Sequence, residues 1–190
     1  AQVLVEFWYP TTGDLTISIE SPRGEIIGPF STKTFPASSQ EHEDGVLSIS
    51  HTLHTSHPTG HQWAFLFSNG ITNPLRSGTW NIRIHGKTPR FDAWIAEVSL
   101  PSGNPRWLDY QSQEMLIGVP ASSDAVITVG SFNSRSGWRN VINAVIERDI
   151  VIGDISSFSS PGPTRDDRPK PEVVAPGLFI ASSLSKDDDV

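Results

Sequence analysis

The sequence predicts a mainly β protein in two parts: an antiparallel, jelly-roll-like β-sandwich over residues 1–100, then an α/β portion with a parallel sheet over 101–190. Short runs of alternating apolar and polar residues, separated by turn residues, recur through the first part and favour a sandwich. Pro, Gly, Ser and Asn become frequent at 101–105, where we place the domain boundary. Residues 125–131 form a nearly continuous apolar run, which favours a strand buried on both faces.

In the first part, the predicted strands follow one another with clear turn signals. Residues 3–9 are aromatic and β-branched, and Leu15, Ile17 and Ile19 then alternate with polar residues. The Pro and Gly of Ser-Pro-Arg-Gly at 21–24 suit a β-turn, which makes 25–28 a hairpin partner. The polar stretch 31–44 predicts a long loop. Further strands are predicted at 47–54, 62–67, 80–84 and 91–98.

In the second part, the predicted elements are shorter. Residues 141–155 hold an apolar group interrupted by Glu-Arg-Asp, which predicts two short strands around a polar turn. The segment 158–177 carries five prolines and two glycines, so no helix can run through it, and we predict a rigid loop with at most a very short strand at 172–175. Residues 178–181 predict another strand, and the acidic end of the chain predicts a solvated loop.

Composition excludes several classes of function. The 190 residues carry a net charge of -7, which argues against nucleic acid or an anionic membrane as partner. The absence of Cys excludes disulfides and thiolate metal sites. No apolar run approaches the roughly 20 residues of a membrane span, and no signal-peptide pattern is present. Because Ala1 leads directly into a strand pattern and Met115 is the sole methionine, we expect a processed or excised piece.

Two motifs carry a resemblance to a known family. Val-Pro-Ala-Ser-Ser-Asp-Ala-Val-Ile-Thr-Val-Gly at 119–130 and Phe-Ser-Ser-Pro-Gly-Pro-Thr, followed by Lys-Pro-Glu-Val-Val-Ala-Pro-Gly, within 158–184 resemble the subtilases, the subtilisin-like serine endopeptidases. Pro161 stands where many members have Arg, and Asp167 where many have Gly. Ser-Gly-Thr-Trp-Asn-Ile-Arg-Ile at 77–84 is similar to the β-sandwich modules that accompany or interrupt subtilase domains.

The resemblance implies peptide-bond hydrolysis by a Ser/His/Asp triad, but none of the triad's family contexts occurs in this chain, nor does that of the oxyanion asparagine. The resemblance therefore implies that no catalytic residue lies in this chain and that the nucleophile lies beyond Val190, so we expect the isolated chain to be inactive. It also implies that the sandwich is inserted ahead of the 125–130 strand. The expected partners are a peptide or protein substrate and the remainder of the catalytic domain. Exposed core edges would favour a homo-oligomer, and the family suggests an extracellular or cell-envelope location.

The resemblance also implies binding residues. The loop before the Val-Ile-x-Val-Gly strand lines one side of the primary specificity pocket in the family, which implicates Val119, Pro120 and Ala121. The same loop holds a weak cation site made of main-chain carbonyls, which would fall on Ala121, Ser123 and Val126 and would take structural calcium or a monovalent cation. No cofactor is required for the chemistry. The family counterpart of Pro120 can follow a cis peptide bond.

Three further groups of residues have competing interpretations. Ser159 and Ser160 are predicted to bond the backbone of a turn rather than substrate. His51, His54, His57 and His61 are close in sequence, but Pro58 redirects the chain among them, so exposed or pH-sensitive histidines are favoured over a metal site. Neither Asp166–Asp167 nor the acidic run at 187–189 has EF-hand spacing, so both are interpreted as solvated charges rather than calcium ligands.

The tryptophans decide between two roles for the sandwich. Trp8, Trp63, Trp80 and Trp94 lie in alternating strand patterns, which predicts core positions. The alternative is a carbohydrate platform on these rings. The sandwich would then be a binding module for a glycan, substrate or partner, and its other possible role is that of a clamp that stabilises the protease fold.

A third possibility for the whole protein is a pseudoprotease, whose full sequence lacks the triad.

Overall fold

The computed structural model describes residues 1–10, 14–31, 37–52, 60–87, 90–101 and 103–180. Throughout this part of the chain the regular structure is β, without a helix, and hence without a helix of the length and apolarity that a membrane crossing requires. The chain divides into two compact units, 1–110 and 111–190.

The first unit contains two antiparallel sheets. Its strands are β1 (Gln2–Tyr9), β2 (Asp14–Glu20), β3 (Ile26–Ser31), β4 (Ser38–His42), β5 (Gly45–Thr52), β6 (His61–Ser68), β7 (Asn81–Lys87) and β8 (Asp92–Ser99). One sheet has the order β4-β5-β6-β1-β8 and the other β3-β2-β7. The chain thus folds back on itself, with its first strand beside its eighth and its second beside its seventh.

The core of the first unit lies between these sheets. Alternate residues of β1 are buried, and Phe7 and Tyr9 are almost fully so. They share one apolar cluster with Trp63 and Phe65 of β6 and with Ile17 of β2. Because each sheet turns one face to this cluster, the unit is an antiparallel sandwich, as the alternation predicts.

One secondary-structure prediction for the first unit is wrong. The stretch 31–44 was expected to be a loop, but β3 extends to Ser31 and β4 occupies Ser38–His42. Strand β4 lies at the edge of its sheet and pairs with β5. Its polar side chains face largely outward, so its backbone ladder rather than an apolar face holds it, aided by a 2.7 Å hydrogen bond between the hydroxyls of Ser39 and Ser48. Residues 32–36 lie outside the described part.

A buried carboxylate anchors the turns of the first unit. The side chain of Asp44 is fully buried. It accepts hydrogen bonds from Ser21 Oγ at 2.7 Å, the Arg23 amide at 3.0 Å and Arg76 Nε at 2.6 Å. Burial alone would raise the pKa of Asp44, but these hydrogen bonds outweigh it, so that the pKa lies below its ordinary value. One ionised side chain therefore ties together the predicted 21–24 turn and the loop that precedes β7.

The second unit has two small sheets. Strands β9 (Val129–Asn133) and β12 (Val173–Leu178) pair in parallel, and β10 (Gly137–Arg139) and β11 (Val145–Glu147) form a hairpin. The apolar run at 125–131 therefore enters a parallel sheet, although the strand begins only at Val129. The two strands expected within 141–155 are misplaced, because the polar turn of the hairpin falls at 140–144. The strand expected at 178–181 is also wrong: β12 ends at Leu178, and Phe179 has a left-handed φ of 57°.

The parallel pair is largely uncovered. Val129 of β9 and Val173 and Val174 of β12 are each at least half exposed. Ile127 and Phe158, which precede these strands, are exposed as well. The exposed apolar patches that an incomplete core predicts are thus present.

Candidate functional site

Two loops of the second unit lie against each other, and each leads into a strand of the parallel pair. The 119–128 loop precedes β9, and the proline-rich 158–172 loop precedes β12. The Glu172 amide donates to the carbonyl of Thr128 at 3.1 Å, just where the two strands begin. The Thr128 amide in turn donates to Glu172 Oε2 at 2.8 Å, and two basic side chains, Arg168 and Lys170, make further contacts between the loops.

Lys170 reaches from the proline-rich loop into the 119–128 loop. Its side chain is 3% exposed. Its Nζ donates to the Val126 carbonyl at 2.9 Å, to Thr128 Oγ1 at 3.1 Å and to Glu172 Oε1 at 2.7 Å. An ammonium group has three donors, so every one of them is used. The hydrogen bond from Lys170, together with that from the Thr128 amide, lowers the pKa of Glu172 to about 2.

Arg168 makes the second contact. Its Nη2 donates to the Ser122 carbonyl at 2.8 Å, its Nη1 pairs with Asp124, and its Nε donates to Asp166 Oδ2 at 2.8 Å. The hydrogen bonds from Arg168 and then Thr164 lower the pKa of Asp166 to about 2. The guanidinium therefore bridges a carboxylate of its own loop and the carbonyl and carboxylate of the neighbouring one.

A tight turn presents Arg168. The Asp167 amide donates to the Thr164 carbonyl at 2.9 Å, and the Thr164 amide donates to the Arg168 carbonyl at 3.0 Å. Asp167 has a φ of 62°, in the left-handed region that Gly adopts most easily. Asp167 therefore occupies a backbone conformation that would suit Gly, which the resemblance led us to expect at this position.

The three residues expected to line a pocket are accessible to differing degrees. Val119 is 91% exposed, Pro120 is exposed and Ala121 is half-buried. The Val119–Pro120 peptide bond is cis, as the resemblance allows. A short turn follows, in which the Ser122 amide donates to the Gly118 carbonyl and the Ser123 amide to the Pro120 carbonyl, both at 3.0 Å. That these residues contact a substrate stays a prediction.

Two of the three carbonyls expected to bind a cation accept hydrogen bonds from side chains. Ala121 O accepts a 2.6 Å hydrogen bond from Thr128 Oγ1, and Val126 O accepts the one from Lys170. Ser123 takes part in the turn through its amide and through its hydroxyl, which accepts from the Ala125 amide at 3.2 Å. Within the described ranges no three His, Asp or Glu side chains are grouped as metal ligands would be.

One of the two serines of the proline-rich loop bonds backbone through its hydroxyl. Ser159 Oγ accepts a hydrogen bond from the Ser131 amide at 3.0 Å, so this hydroxyl does bond backbone, but the backbone is that of strand β9 and not that of its own turn. The sequence did not single out the neighbouring network, in which buried Ser156 bonds the Ser131 hydroxyl at 2.8 Å and Asn133 Oδ1 at 3.1 Å. Its sole sequence signal is the density of small polar residues beside an apolar strand.

The histidines belong to the first unit, since all six precede residue 111 in the sequence. His51 Nε2 lies 2.6 Å from the buried Tyr9 hydroxyl, and the His51 and His61 rings are 6.1 Å apart. Burial, and secondarily His61, lowers the pKa of His51 to about 4. His54 and His57 lie outside the described residues. The second unit therefore has no histidine with which to assemble a triad by itself.

The tryptophans divide between the two faces of the five-stranded sheet. Trp63 is fully buried, and half-buried Trp80 packs against the same core. Trp8 and Trp94 are also half-buried, but they alternate with the inward residues of β1 and β8 and so lie on the outer face. The core prediction therefore holds for Trp63 and Trp80 and is wrong for the other two.

Comparison with known proteins relates the second half of the chain to a protein family. Residues 98–188 match the model of the subtilase family. The chain is 38% identical over 92 residues to an uncharacterized protein of Aquifex aeolicus, aq_aa18, covering 45% of this chain and 38% of that protein. It also superimposes on the CspB protease of Clostridium perfringens with a TM-score of 0.70 and 23% identity, over 98% of this chain and 36% of that one. The chain thus spans less than two fifths of the length of either relative.

Proposed function

We propose that this chain, whose residues 98–188 match the model of the subtilase family, is part of a subtilisin-like serine endopeptidase whose triad lies outside it. In the complete enzyme the serine attacks the scissile amide, the histidine transfers the proton and the aspartate orients the histidine. The single observation that carries the proposal is the ordered pair of loops at 119–128 and 158–172, which keep the family's motifs and are joined by Lys170 and Arg168.

The chain's contribution in this proposal is structural and substrate-facing. The exposed residues Val119 and Pro120, with Ala121, would form one wall of the primary specificity pocket. The exposed apolar residues of β9 and β12 support the view that the chain lacks part of its core. In the complete enzyme these strands would pack against the remainder of the catalytic domain. An extracellular or cell-envelope location and a peptide or protein substrate belong to the same proposal.

The test uses two proteins. The 190-residue chain and the protein that contains it with its flanking sequence are incubated with a fluorogenic peptide library and with a serine-directed fluorophosphonate. We expect cleavage and labelling by the longer protein and neither by the chain. Hydrolysis by the chain that the reagent abolishes would contradict the location of the triad. A longer protein that is folded but does neither would favour a pseudoprotease.

A second function, for the first unit, is supported by Trp8 and Trp94. Their positions on the outer face of β1 and β8 suit a platform on which sugar rings stack, in a sandwich whose β1–β8 and β2–β7 pairs support a jelly-roll-like topology. Titration with soluble oligosaccharides, followed by tryptophan fluorescence, tests this role. Iodide should quench Trp8 and Trp94 but not Trp63, and a bound glycan should protect the first two. Tryptophan fluorescence that does not change at saturating oligosaccharide would contradict glycan binding and favour a stabilising role for the first unit.

A further inference from the structure

We propose that the ammonium group of Lys170 acts as a built-in cation for the 119–128 loop, so that this loop keeps its conformation without bound calcium, sodium or potassium. The inference goes beyond the proposed function, because it concerns what the fold requires and its test does not involve peptide hydrolysis.

The oxygen atoms around Lys170 are those that a hard metal ion would take. The ammonium contacts a main-chain carbonyl, a hydroxyl and a carboxylate, from Val126, Thr128 and Glu172 respectively. Such oxygens are the preferred ligands of calcium and of the alkali ions. The distances, 2.7 to 3.1 Å, are those of hydrogen bonds from nitrogen, so the geometry is that of an ammonium and not of a smaller metal ion.

The ammonium reaches two of the carbonyls for which the resemblance implied a cation. It bonds the Val126 carbonyl directly. It reaches the Ala121 carbonyl through Thr128, whose hydroxyl accepts from Lys170 and donates to Ala121 at 2.6 Å. The same positive charge therefore organises both ends of the 121–126 stretch, and a second cation placed at the Val126 carbonyl would be repelled by it.

The charge of the ammonium is balanced locally. Its side chain is 3% exposed, while that of Glu172 is 39% exposed and forms the ion pair at 2.7 Å. The Thr128 amide donates to the other oxygen of Glu172 at 2.8 Å, which fixes the carboxylate in place. Removing one partner of a buried, hydrogen-bonded ion pair destabilises a fold, because the remaining group is left buried without its counter-charge.

The experiment measures the thermal midpoint of the second unit in the full chain, in choline chloride, potassium chloride and calcium chloride at equal ionic strength. The wild type is compared with Lys170→Ala and with the matched control Lys87→Ala, which removes an exposed lysine from β7. We expect the same midpoint for the wild type in all three salts. Lys170→Ala should lose about 4 °C or more in choline and recover part of that loss in potassium or calcium. Lys87→Ala should behave as the wild type.

A wild type stabilised by potassium or calcium relative to choline would overturn the proposal, because the loop would then bind a cation despite Lys170. A Lys170→Ala variant that is insensitive to all three salts would also overturn it, since Lys170 would then be an ordinary ion-pair partner. Should Lys170→Ala fail to fold, hydrogen exchange of amides 119–128 in the wild type decides. Equal exchange in the three salts supports the proposal, and slower exchange in potassium or calcium contradicts it.

Discussion

Gly162 offers the sharpest test of how the proline-rich loop is folded against itself and holds Lys170 in place. A Cβ atom at this position would lie 1.9 Å from the carbonyl oxygen of Lys170 and 3.0 Å from its carbonyl carbon. Real Cβ atoms keep at least 3.0 Å from such neighbours, so the two backbone segments would have to separate by roughly 1 Å. Because the neighbour is backbone, no side-chain rotation can relieve the overlap, and the shift would draw Lys170 away from its three acceptors.

Gly162→Ala should therefore lower the unfolding free energy of the second unit by about 2–3 kcal/mol, the upper part of the range for overpacking. For a unit of this size the thermal midpoint should fall by about 8–24 °C. The assay is calorimetry of the full chain, with hydrogen exchange of amides 111–180 to identify the transition that moves. Gly118→Ala is the matched control, because no heavy atom lies within 4 Å of its Cβ. An unfolding free energy for Gly162→Ala within about 0.5 kcal/mol of that of Gly118→Ala would refute the reasoning.

Three further predictions concern the core, the acid range and the loop contacts. Phe65→Ala should lower the unfolding free energy of the first unit by about 3–5 kcal/mol in urea denaturation, because Phe65 is fully buried and stacks on Trp63 at 5.9 Å between centroids. His51→Gln should reduce the loss of stability as pH falls from about 6.5 to 4. The folded pKa of His51 is about 4, so in that range the unfolded state binds the proton first and is favoured by acid. Thr128→Val should destabilise the second unit by about 1–3 kcal/mol in calorimetry, since Ala121 O loses its donor and Lys170 an acceptor.

Each of these three has its control. Ile71→Ala changes a fully exposed side chain and should stay within about 0.5 kcal/mol of the wild type, so an equal effect at Phe65 would contradict the described core. His85→Gln alters an exposed histidine, and an identical acid profile for both His variants would contradict the role of His51. Thr128→Ser keeps the hydroxyl, and a loss as large as that of the Val variant would argue against the hydrogen bonds.

The strands of the first unit are predictable because its core enforces a two-residue period. Buried apolar residues, such as Val3, Phe7, Ile17 and Phe65, alternate with polar or half-exposed neighbours. The apolar residues face the core and their neighbours face away from it, so the sequence records the strand period directly. Strand β4 has no such signal. Its residues, Ser-Ser-Gln-Glu-His, are poor strand formers, and its pairing with β5 depends on backbone hydrogen bonds that residue type does not encode.

The second unit was predicted less well, for two physical reasons. Many valines and isoleucines of this unit are exposed to solvent. Apolar residues such as those at 141–146 therefore do not indicate where a strand is buried. In addition, the contacts that define its candidate site are long-range: Lys170 and Val126 are 44 residues apart. Local patterns in a sequence indicate that Lys170 lies between prolines next to a strand, but not which carbonyls its ammonium will reach.

The pairing of β1 with β8 brings the beginning and the end of the sandwich close together. Gln2 lies opposite Ser99 in this antiparallel pair, so the polypeptide enters and leaves the sandwich at neighbouring positions about 5 Å apart. The entropy of closing so short a gap is small, so a linker of a few Gly and Ser residues would suffice to join the positions of Gln2 and Ser99.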